Sequence, residues 1–213
     1  YSVSSEEDIK NLSSTFRTNK IVLIRNWVKV LNSKDIGSRE NKILSIGRLE
    51  YQKNFQYLVD NFKNSDKKIT IYGKGSEEHE IKRLAKQVGL DLEIVNNINN
   101  KDLISKLNSS KYFIQTSLFE GNPKALLEAM AAGCIVLASN IANNSEIIND
   151  GENGFLFDLN KNQLKNKFDF VDSLNLERLE DISTKAKKTI KEQYEIDKIA
   201  SLEINLLEEL YYE

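Results

Sequence analysis

Residues 112–138 read YFIQTSLFEGNPKALLEAMAAGCIVLA. The segment begins with an apolar run typical of a strand, passes through a short loop and continues as a helix rich in alanine and leucine. Gly133 is expected to end that helix, because glycine readily takes the left-handed conformation that stops helices. A second apolar run follows at 134–138. A strand, a helix and a second strand at this spacing predict a βαβ unit of a parallel sheet.

The same alternation continues on both sides of this unit. Helical patterns of about ten residues separate short strand patterns, and we predict strands at 21–24, 42–47, 68–72, 92–95, 112–116, 134–138 and 154–157. Most of these strands are continuous apolar runs, which is typical of a sheet covered on both faces. We therefore predict an α/β fold, a Rossmann-like parallel sheet with helices on both faces. Ligands of such sheets bind beyond the carboxyl ends of the strands, so site residues should follow the strands.

The two ends of the chain depart from this alternation. A helix is predicted at 4–16, ahead of the first strand. Charged amphipathic helices, with no further strand, are predicted at 161–171, 176–193 and 195–212. We expect these C-terminal helices to pack on the outside of the sheet.

The composition limits the classes of function. The 213 residues carry a formal net charge of −2, so no bulk attraction to nucleic acid is expected. No apolar stretch approaches the ~20 residues that span a bilayer, and no signal peptide is visible. Cys134 is the one cysteine, which excludes an intrachain disulfide, and its apolar surroundings predict a buried, unreactive thiol. These features favour a cytoplasmic protein and are compatible with peripheral association at the inner face of the membrane.

Two carboxylates flank the start of the central helix. Glu120 lies in the loop before it, and Glu128 lies about five residues into it, roughly 7.5 Å along the axis. Asn122 is a favourable N-cap residue, and Pro123 suits the first helical position. The helix N-terminus suits a phosphate, and Gly121 permits close approach of a ligand to the backbone. The spacing fits a diphosphate between two hydroxyl-bearing groups, with an acidic loop before an ordinary helix as the alternative.

This segment closely resembles the E-x7-E motif of retaining glycosyltransferases of the family 4 type, which have the GT-B fold of two facing Rossmann-like domains. Further landmarks of those enzymes appear in order, namely IRNWV at 24–28, ILSIGRL at 43–49 followed by Lys53 and Asn54, IYGKG at 71–75, and the segment 141–154. The resemblance covers about residues 19–157 and continues more loosely to the end. It implies the donor-binding half of an enzyme that transfers a hexosyl group with retention from a UDP- or GDP-linked sugar. Cell-surface polysaccharide or glycan biosynthesis would be the setting.

The resemblance also implies roles for individual residues. Arg48 and Lys53 would bind the donor diphosphate and stabilise the leaving group in place of a divalent metal, and no cofactor is implied. Glu120 would hold hydroxyls of the donor sugar, and Glu128 those of the ribose. Glu120, Arg48 and Lys53 are thus the candidate catalytic residues. Additional candidate donor-binding residues are Gly47, Gly73, Asn96, Ile98, Gly121, Asn122, Lys124 and Ala125.

A larger architecture follows from the same resemblance. Residues 1–40 would be the end of an N-terminal domain and an interdomain linker, 41–193 the nucleotide-sugar-binding domain, and 194–213 a helix that crosses back to the N-terminal domain. A glycan or lipid-linked acceptor would bind that N-terminal domain, which the sequence lacks. We therefore expect a fragment or the product of a split gene. The exposed apolar face of the last helix would include Ile199, Leu202, Leu206, Leu207 and Leu210.

Departures from the family pattern leave the donor and the activity open. Trp27 stands where the linker usually has glycine, and ANNS at 142–145 replaces a glycine- and proline-containing turn. A non-catalytic sugar-nucleotide-binding subunit of a split or two-component glycosyltransferase is the main alternative. A nucleotide-sugar epimerase would need an acid–base histidine in the site. His79, the one histidine, is expected at the surface of an acidic helix start.

Overall fold

The computed structural model describes residues 2–3, 6–15, 21–30 and 33–212. Its strands are β1 Ser2–Val3, β2 Val22–Leu23, β3 Glu40–Ile46, β4 Ile69–Tyr72, β5 Leu92–Val95, β6 Ser110–Gln115, β7 Ile135–Ser139 and β8 Phe155–Phe157. The helices are α1 Glu6–Thr15, α2 Phe55–Asn61, α3 Glu78–Gln87, α4 Asn100–Ser109, α5 Lys124–Ala131, α6 Ala142–Ser145, α7 Gln163–Asp172, α8 Leu176–Gln193 and α9 Ile196–Tyr212. Short 3₁₀ turns form at Ile36–Ser38 and Tyr51–Lys53.

Six of the strands form one parallel sheet in the spatial order β5-β4-β3-β6-β7-β8. The chain proceeds outward from β3 to β5 and then crosses back to β6, on the other side of β3. The strand order therefore reverses between β3 and β6, which pair in parallel with Ile43 opposite Tyr112. A crevice at such a reversal is where open α/β sheets bind ligands. The predicted Rossmann-like sheet is confirmed.

Side chains alternate along the strands and build a core on each face of the sheet. Ile43 packs into one core, and its neighbour Leu44 packs into the other. The first core is covered by α2, α3 and α7, and the second by α4 and α5, while α8 contributes to both. Burial on both faces explains why the strands are continuous apolar runs.

The strand predicted at 21–24 does not join this sheet. Val22–Leu23 instead pairs in parallel with Ser2–Val3 in a separate two-stranded sheet. The apolar pattern identified a strand but could not identify its partner. The helix predicted at 4–16 is found at Glu6–Thr15, and residues 4, 5 and 16 lie outside the described residues.

Helix α5 begins one residue later than predicted and without the expected cap. Pro123 occupies the N-cap position with φ −79° and ψ 61°, and α5 starts at Lys124. Asn122 lies one residue before the N-cap position, and its Oδ1 accepts a hydrogen bond from Asn26 Nδ2 at 2.8 Å. The predicted stop is confirmed, since Gly133 has φ +75° and its N–H donates to the carbonyl of Met130.

A buried arginine that the sequence patterns did not identify ties the far end of α5 to the sheet. Arg39 donates to the carbonyl oxygens of Ala132 at 2.6 Å and of Lys34 at 2.8 Å. These bonds satisfy carbonyls that the ends of secondary structure leave unpaired. Arg39 also contacts Cys134, where burial raises the thiol pKa to about 12. The thiol is therefore protonated and inert at neutral pH, as predicted.

Helices α7 and α8 pack on the sheet as expected, whereas α9 is largely exposed and only its first turn is buried. Leu202 and Leu207 are exposed, whereas Ile199 is 5% exposed and belongs to the core. The prediction that Ile199 is exposed is therefore wrong, because the first turn of α9 lies against the domain. Leu206 is half-buried, and the Leu210 side chain lies outside the described residues. Among the described residues, no helix combines the length and apolarity that a bilayer crossing requires.

Candidate functional site

An ion pair spans the point where the strand order reverses. Lys53 lies at the end of the loop that follows β3, and Glu120 lies in the loop that follows β6. Lys53 Nζ is 2.5 Å from Glu120 Oε1, and the two side chains are 18% and 4% exposed. Two candidate catalytic residues that are 67 positions apart in sequence are thus in direct contact.

Glu120 receives three hydrogen bonds on a single oxygen. Besides Lys53, Gln115 Nε2 donates to Oε1 at 2.8 Å and Ser117 Oγ donates to Oε1 at 2.5 Å. Such donors offset the desolvation of a buried charge. The other oxygen, Oε2, makes no hydrogen bond to any residue that the structure describes and is not fully buried. Glu120 lines an open cavity of about 450 Å³ together with Leu118, Phe119, Ile141, Ala142, Asn143 and Asp8.

Gln115 carries an unsatisfied atom in this cluster. Its amide nitrogen faces Glu120, and its Oε1 is fully buried with no hydrogen-bond partner among the described residues. The opposite amide orientation would place Oε1 against the carboxylate, so the hydrogen bond to Glu120 fixes the side chain. An unpaired buried acceptor costs about 1–3 kcal/mol.

Glycines bring the loops after β3 and β4 into backbone contact. A Cβ atom added at Gly73 would lie 1.8 Å from the Gly47 carbonyl oxygen, and one at Gly75 would lie 2.3 Å from that of Leu49. A Cβ atom at Gly47 would lie 3.1 Å from the Lys53 side chain. The loop that carries Lys53 is therefore packed tightly, and the packing alone accounts for Gly73.

Gly121 has no such explanation within the chain. A Cβ atom added there meets nothing within 4 Å, and its backbone is not in the left-handed region. The loop around it is supported by side chains from two other segments. Asn143 Nδ2 donates to the Gly121 carbonyl at 3.1 Å, and Asn26 donates to Asn122. Gly121 thus lies beside open space at the N-terminus of α5.

Arg48 is exposed at the carboxyl end of β3. No hydrogen bond or ion pair joins its side chain to the part of the chain that the structure describes, so the guanidinium is available to a ligand. Its charge contributes, after hydrogen bonds from Ser76, to lowering the pKa of the Glu50 carboxyl. Arg48 and Lys53 lie in the same loop, between β3 and α2.

Glu128 lies on α5 in a different cavity from Glu120. That cavity has a volume of about 100 Å³ and is lined by Trp27, Asn100, Ile104, Lys124, Glu128 and their neighbours. Burial raises the pKa of Glu128, and the nearby Lys124 partly opposes the shift. Lys124 Nζ lies 5.3 Å from the centre of the Trp27 ring, within the range of a cation–π interaction. The two carboxylates therefore face separate openings around α5.

The remaining predicted site residues also lie near the carboxyl ends of the strands, but they do not meet at one point. Asn96 Nδ2 donates to Glu78 Oε2 at 2.9 Å, and Ile98 and Ala125 pack against the second core. His79 is exposed in the first turn of α3, as predicted. Among the described residues, no group of three or more His, Cys, Asp or Glu side chains is arranged to hold a metal.

Comparison with known proteins assigns the chain to a family. The sequence profile of the glycosyl transferases group 1 family matches residues 29–189, which include Glu128 and the Lys53–Glu120 pair. The chain belongs to that family.

The relatives that this chain matches are longer proteins. It is 35% identical over 153 residues to an uncharacterized glycosyltransferase of Haemophilus influenzae, covering 68% of this chain and 43% of that protein. It is 31% identical over 175 residues to the amylovoran biosynthesis glycosyltransferase of Erwinia amylovora, covering 76% of this chain and 49% of that protein. A crystal structure of an S. aureus TarM mutant with fondaparinux, alpha-GlcNAc-glycerol and UDP superposes with a TM-score of 0.82 at 24% identity, covering 96% of this chain and 43% of TarM. The chain thus spans less than half the length of these proteins, and its fold is that of a GT-B Rossmann-like domain.

Four polar residues around the candidate site were not identified from the sequence. Gln115 and Ser117 hold Glu120, while Asn143 and Asn26 hold the loop at Gly121 and Asn122. Gln115 could have been identified, because it is a polar residue inside an apolar strand, immediately before the candidate loop. The other three are single asparagine or serine residues outside the strands, which do not stand out.

Proposed function

We propose that this chain is the donor-binding half of a retaining glycosyltransferase that takes a hexose from a UDP- or GDP-linked sugar. The observation that carries the proposal is the Lys53–Glu120 pair, at the reversal of strand order and beside the N-terminus of α5. A cation for phosphate and a carboxylate for sugar hydroxyls then lie side by side. Adjacent phosphate and sugar are the defining feature of a nucleoside diphosphate sugar.

The leaving group requires positive charge near the diphosphate. Arg48 is free of described partners, and Lys53 Nζ has three N–H donors, of which the bond to Glu120 uses one. The backbone N–H groups at the start of α5 and the open side of Gly121 would receive the phosphate oxygens. These groups would stabilise the negative charge that develops on the diphosphate when the glycosidic bond breaks. No metal or other cofactor is needed for this assignment.

Glu128 would bind the ribose on the other side of the helix start. Its cavity, beside Trp27 and Lys124, adjoins the loop after β5, where Asn96 and Ile98 would lie near the base. The family landmarks at each position support these assignments, and so does the UDP in the structure of the related TarM mutant.

Transfer itself would require an acceptor-binding half. We propose that residues 1–40 connect to such a domain, that 41–193 form the donor domain, and that α9 packs against the other half through Leu202 and Leu207, which are exposed. The match to an amylovoran biosynthesis enzyme supports a role in polysaccharide assembly. We propose a lipid-linked or glycan acceptor and a location in the cytoplasm at the membrane surface.

Titration calorimetry with UDP, GDP and ADP tests the binding proposal. One of the three should bind, and Arg48→Ala should weaken it by about 1.5–3 kcal/mol, or roughly tenfold to a hundredfold, because a charge-assisted bond is lost. The matched control is Lys63→Ala, which removes an exposed cation that follows α2 and should leave the affinity unchanged. Absence of binding by all three nucleotides, or an unchanged affinity for Arg48→Ala, would contradict the proposal. If the chain, combined with an acceptor-binding half, binds a nucleotide sugar but does not transfer the sugar, the non-catalytic subunit is favoured.

A further inference from the structure

The two oxygens of the Glu120 carboxylate have different surroundings. Oε1 accepts bonds from Lys53, Gln115 and Ser117, whereas Oε2 has no described partner and is not fully buried, and Glu120 lines the 450 Å³ cavity. We propose that Gln115 and Ser117 are positioning residues that hold Oε1, so that Oε2 faces the cavity and accepts a hydrogen bond from a hydroxyl of the donor sugar. The inference rests on the proposed function.

Both positioning residues are fixed by the centre of the sheet. Gln115 is the last residue of β6 and pairs with Ala138 of the neighbouring strand. Ser117 is fully buried, and its carbonyl accepts a bond from Ser139 Oγ at 2.6 Å. A carboxylate held by groups on a rigid scaffold keeps its orientation better than one held by a loop alone.

The unpaired oxygen of Gln115 shows that packing is not the reason for a glutamine at this position. A leucine would fill a similar volume without a buried, unpaired Oε1. What the amide supplies is its hydrogen bond to Glu120. A residue that departs from good packing beside a site is expected to serve the site.

The neutral donors Gln115 and Ser117 also allow Glu120 to stay in position independently of Lys53. If Lys53 alone held Glu120, the carboxylate would be released whenever the ammonium turned toward a diphosphate. With Gln115 and Ser117 in place, two of the three bonds to Oε1 remain. The sugar-binding oxygen can then stay in position while the cation serves the phosphate.

The test compares a nucleoside diphosphate with its glucose conjugate, using UDP with UDP-glucose and GDP with GDP-glucose. In the wild-type chain the conjugate should bind more tightly than the free nucleotide of the preferred base. Gln115→Leu and Ser117→Ala should each lower that preference about tenfold, equivalent to 1.4 kcal/mol. The affinity for the free nucleotide should change less than about twofold, since the phosphate and ribose contacts remain. Gln163→Leu, at an exposed position of α7, is the matched control.

The outcomes separate this inference from the function on which it rests. If no nucleotide binds the wild-type chain, the proposed function and the inference both fail. If a nucleotide binds but glucose adds no affinity, or if both variants retain the wild-type preference, only the positioning role is wrong. Equal losses for the nucleotide and its conjugate would show that Gln115 and Ser117 merely support the loop. Thermal melting identifies a variant that does not fold, in which case the other variant decides.

Discussion

Replacing Lys53 with methionine should destabilise the chain because Glu120 stays buried. The carboxylate side chain is 4% exposed and would lose one of three donors, while Gln115 and Ser117 still bind it. Removing one member of a fully buried pair costs about 3–5 kcal/mol. Lys53 is 18% exposed and two donors remain, so we expect a smaller loss. The free energy of unfolding should fall by the contribution of one charge-assisted hydrogen bond, about 1.5–3 kcal/mol.

Urea denaturation at neutral pH measures this loss directly, and the melting temperature should fall by about 3–12 °C. The double variant Lys53→Met with Glu120→Gln should recover at least half of the loss, because the unpaired charge is then removed. Lys68→Met is the control, since Lys68 pairs with Glu93 at an exposed site and should contribute no more than about 1 kcal/mol. Unchanged stability of Lys53→Met, or additive losses in the double variant, would refute the argument from a buried charge.

Three further predictions concern other parts of the fold. Burial raises the pKa of Glu128 above 4.5, so between pH 4.5 and the raised pKa the folded chain binds more protons than the unfolded chain. The free energy of unfolding should therefore fall as the pH rises through this range. Urea titrations at several pH values should show that Glu128→Gln abolishes this fall. Arg39→Met should lower the free energy of unfolding by about 2–4 kcal/mol, because it leaves buried carbonyl oxygens unpaired. Arg83→Met, at an exposed position, should change it by no more than about 0.5 kcal/mol in the same assay. Gly73→Ala should cost about 3 kcal/mol or more by steric overlap, while Gly121→Ala should leave the melting temperature unchanged and weaken nucleotide binding in calorimetry. Equal effects on stability at the two glycines would contradict the distinction between packing and ligand access.

The alternation of strands and helices was sufficient to predict the sheet, because each apolar run must be buried on both faces. It could not specify the partner of Val22–Leu23, since pairing of a two-residue strand depends on a distant segment. The cap predicted at Asn122 was wrong because α5 starts one residue later, and the Asn122 side chain bonds to Asn26 of the distant segment 21–30. Local rules describe helix ends well only where no remote group competes.

The sequence named candidate site residues but did not predict their geometry. Family resemblance named Lys53 and Glu120 as donor-binding residues, yet nothing in the sequence indicated that they form an ion pair. That contact depends on β3 and β6 lying side by side, which follows from the crossover and not from local pattern. Arg39 was missed for a similar reason, since an arginine beside a polar stretch looks solvated until its carbonyl partners are in place.

A crystal structure of this chain with the tightest-binding nucleoside diphosphate tests the central claim most directly. Diphosphate oxygens should lie about 2.7–3.2 Å from Lys53 Nζ and from backbone N–H groups at the start of α5, with Glu128 on the ribose. Glu120 should keep its bonds to Gln115 and Ser117. A diphosphate bound away from this helix, or a Lys53 that contacts only Glu120 in the complex, would contradict the account.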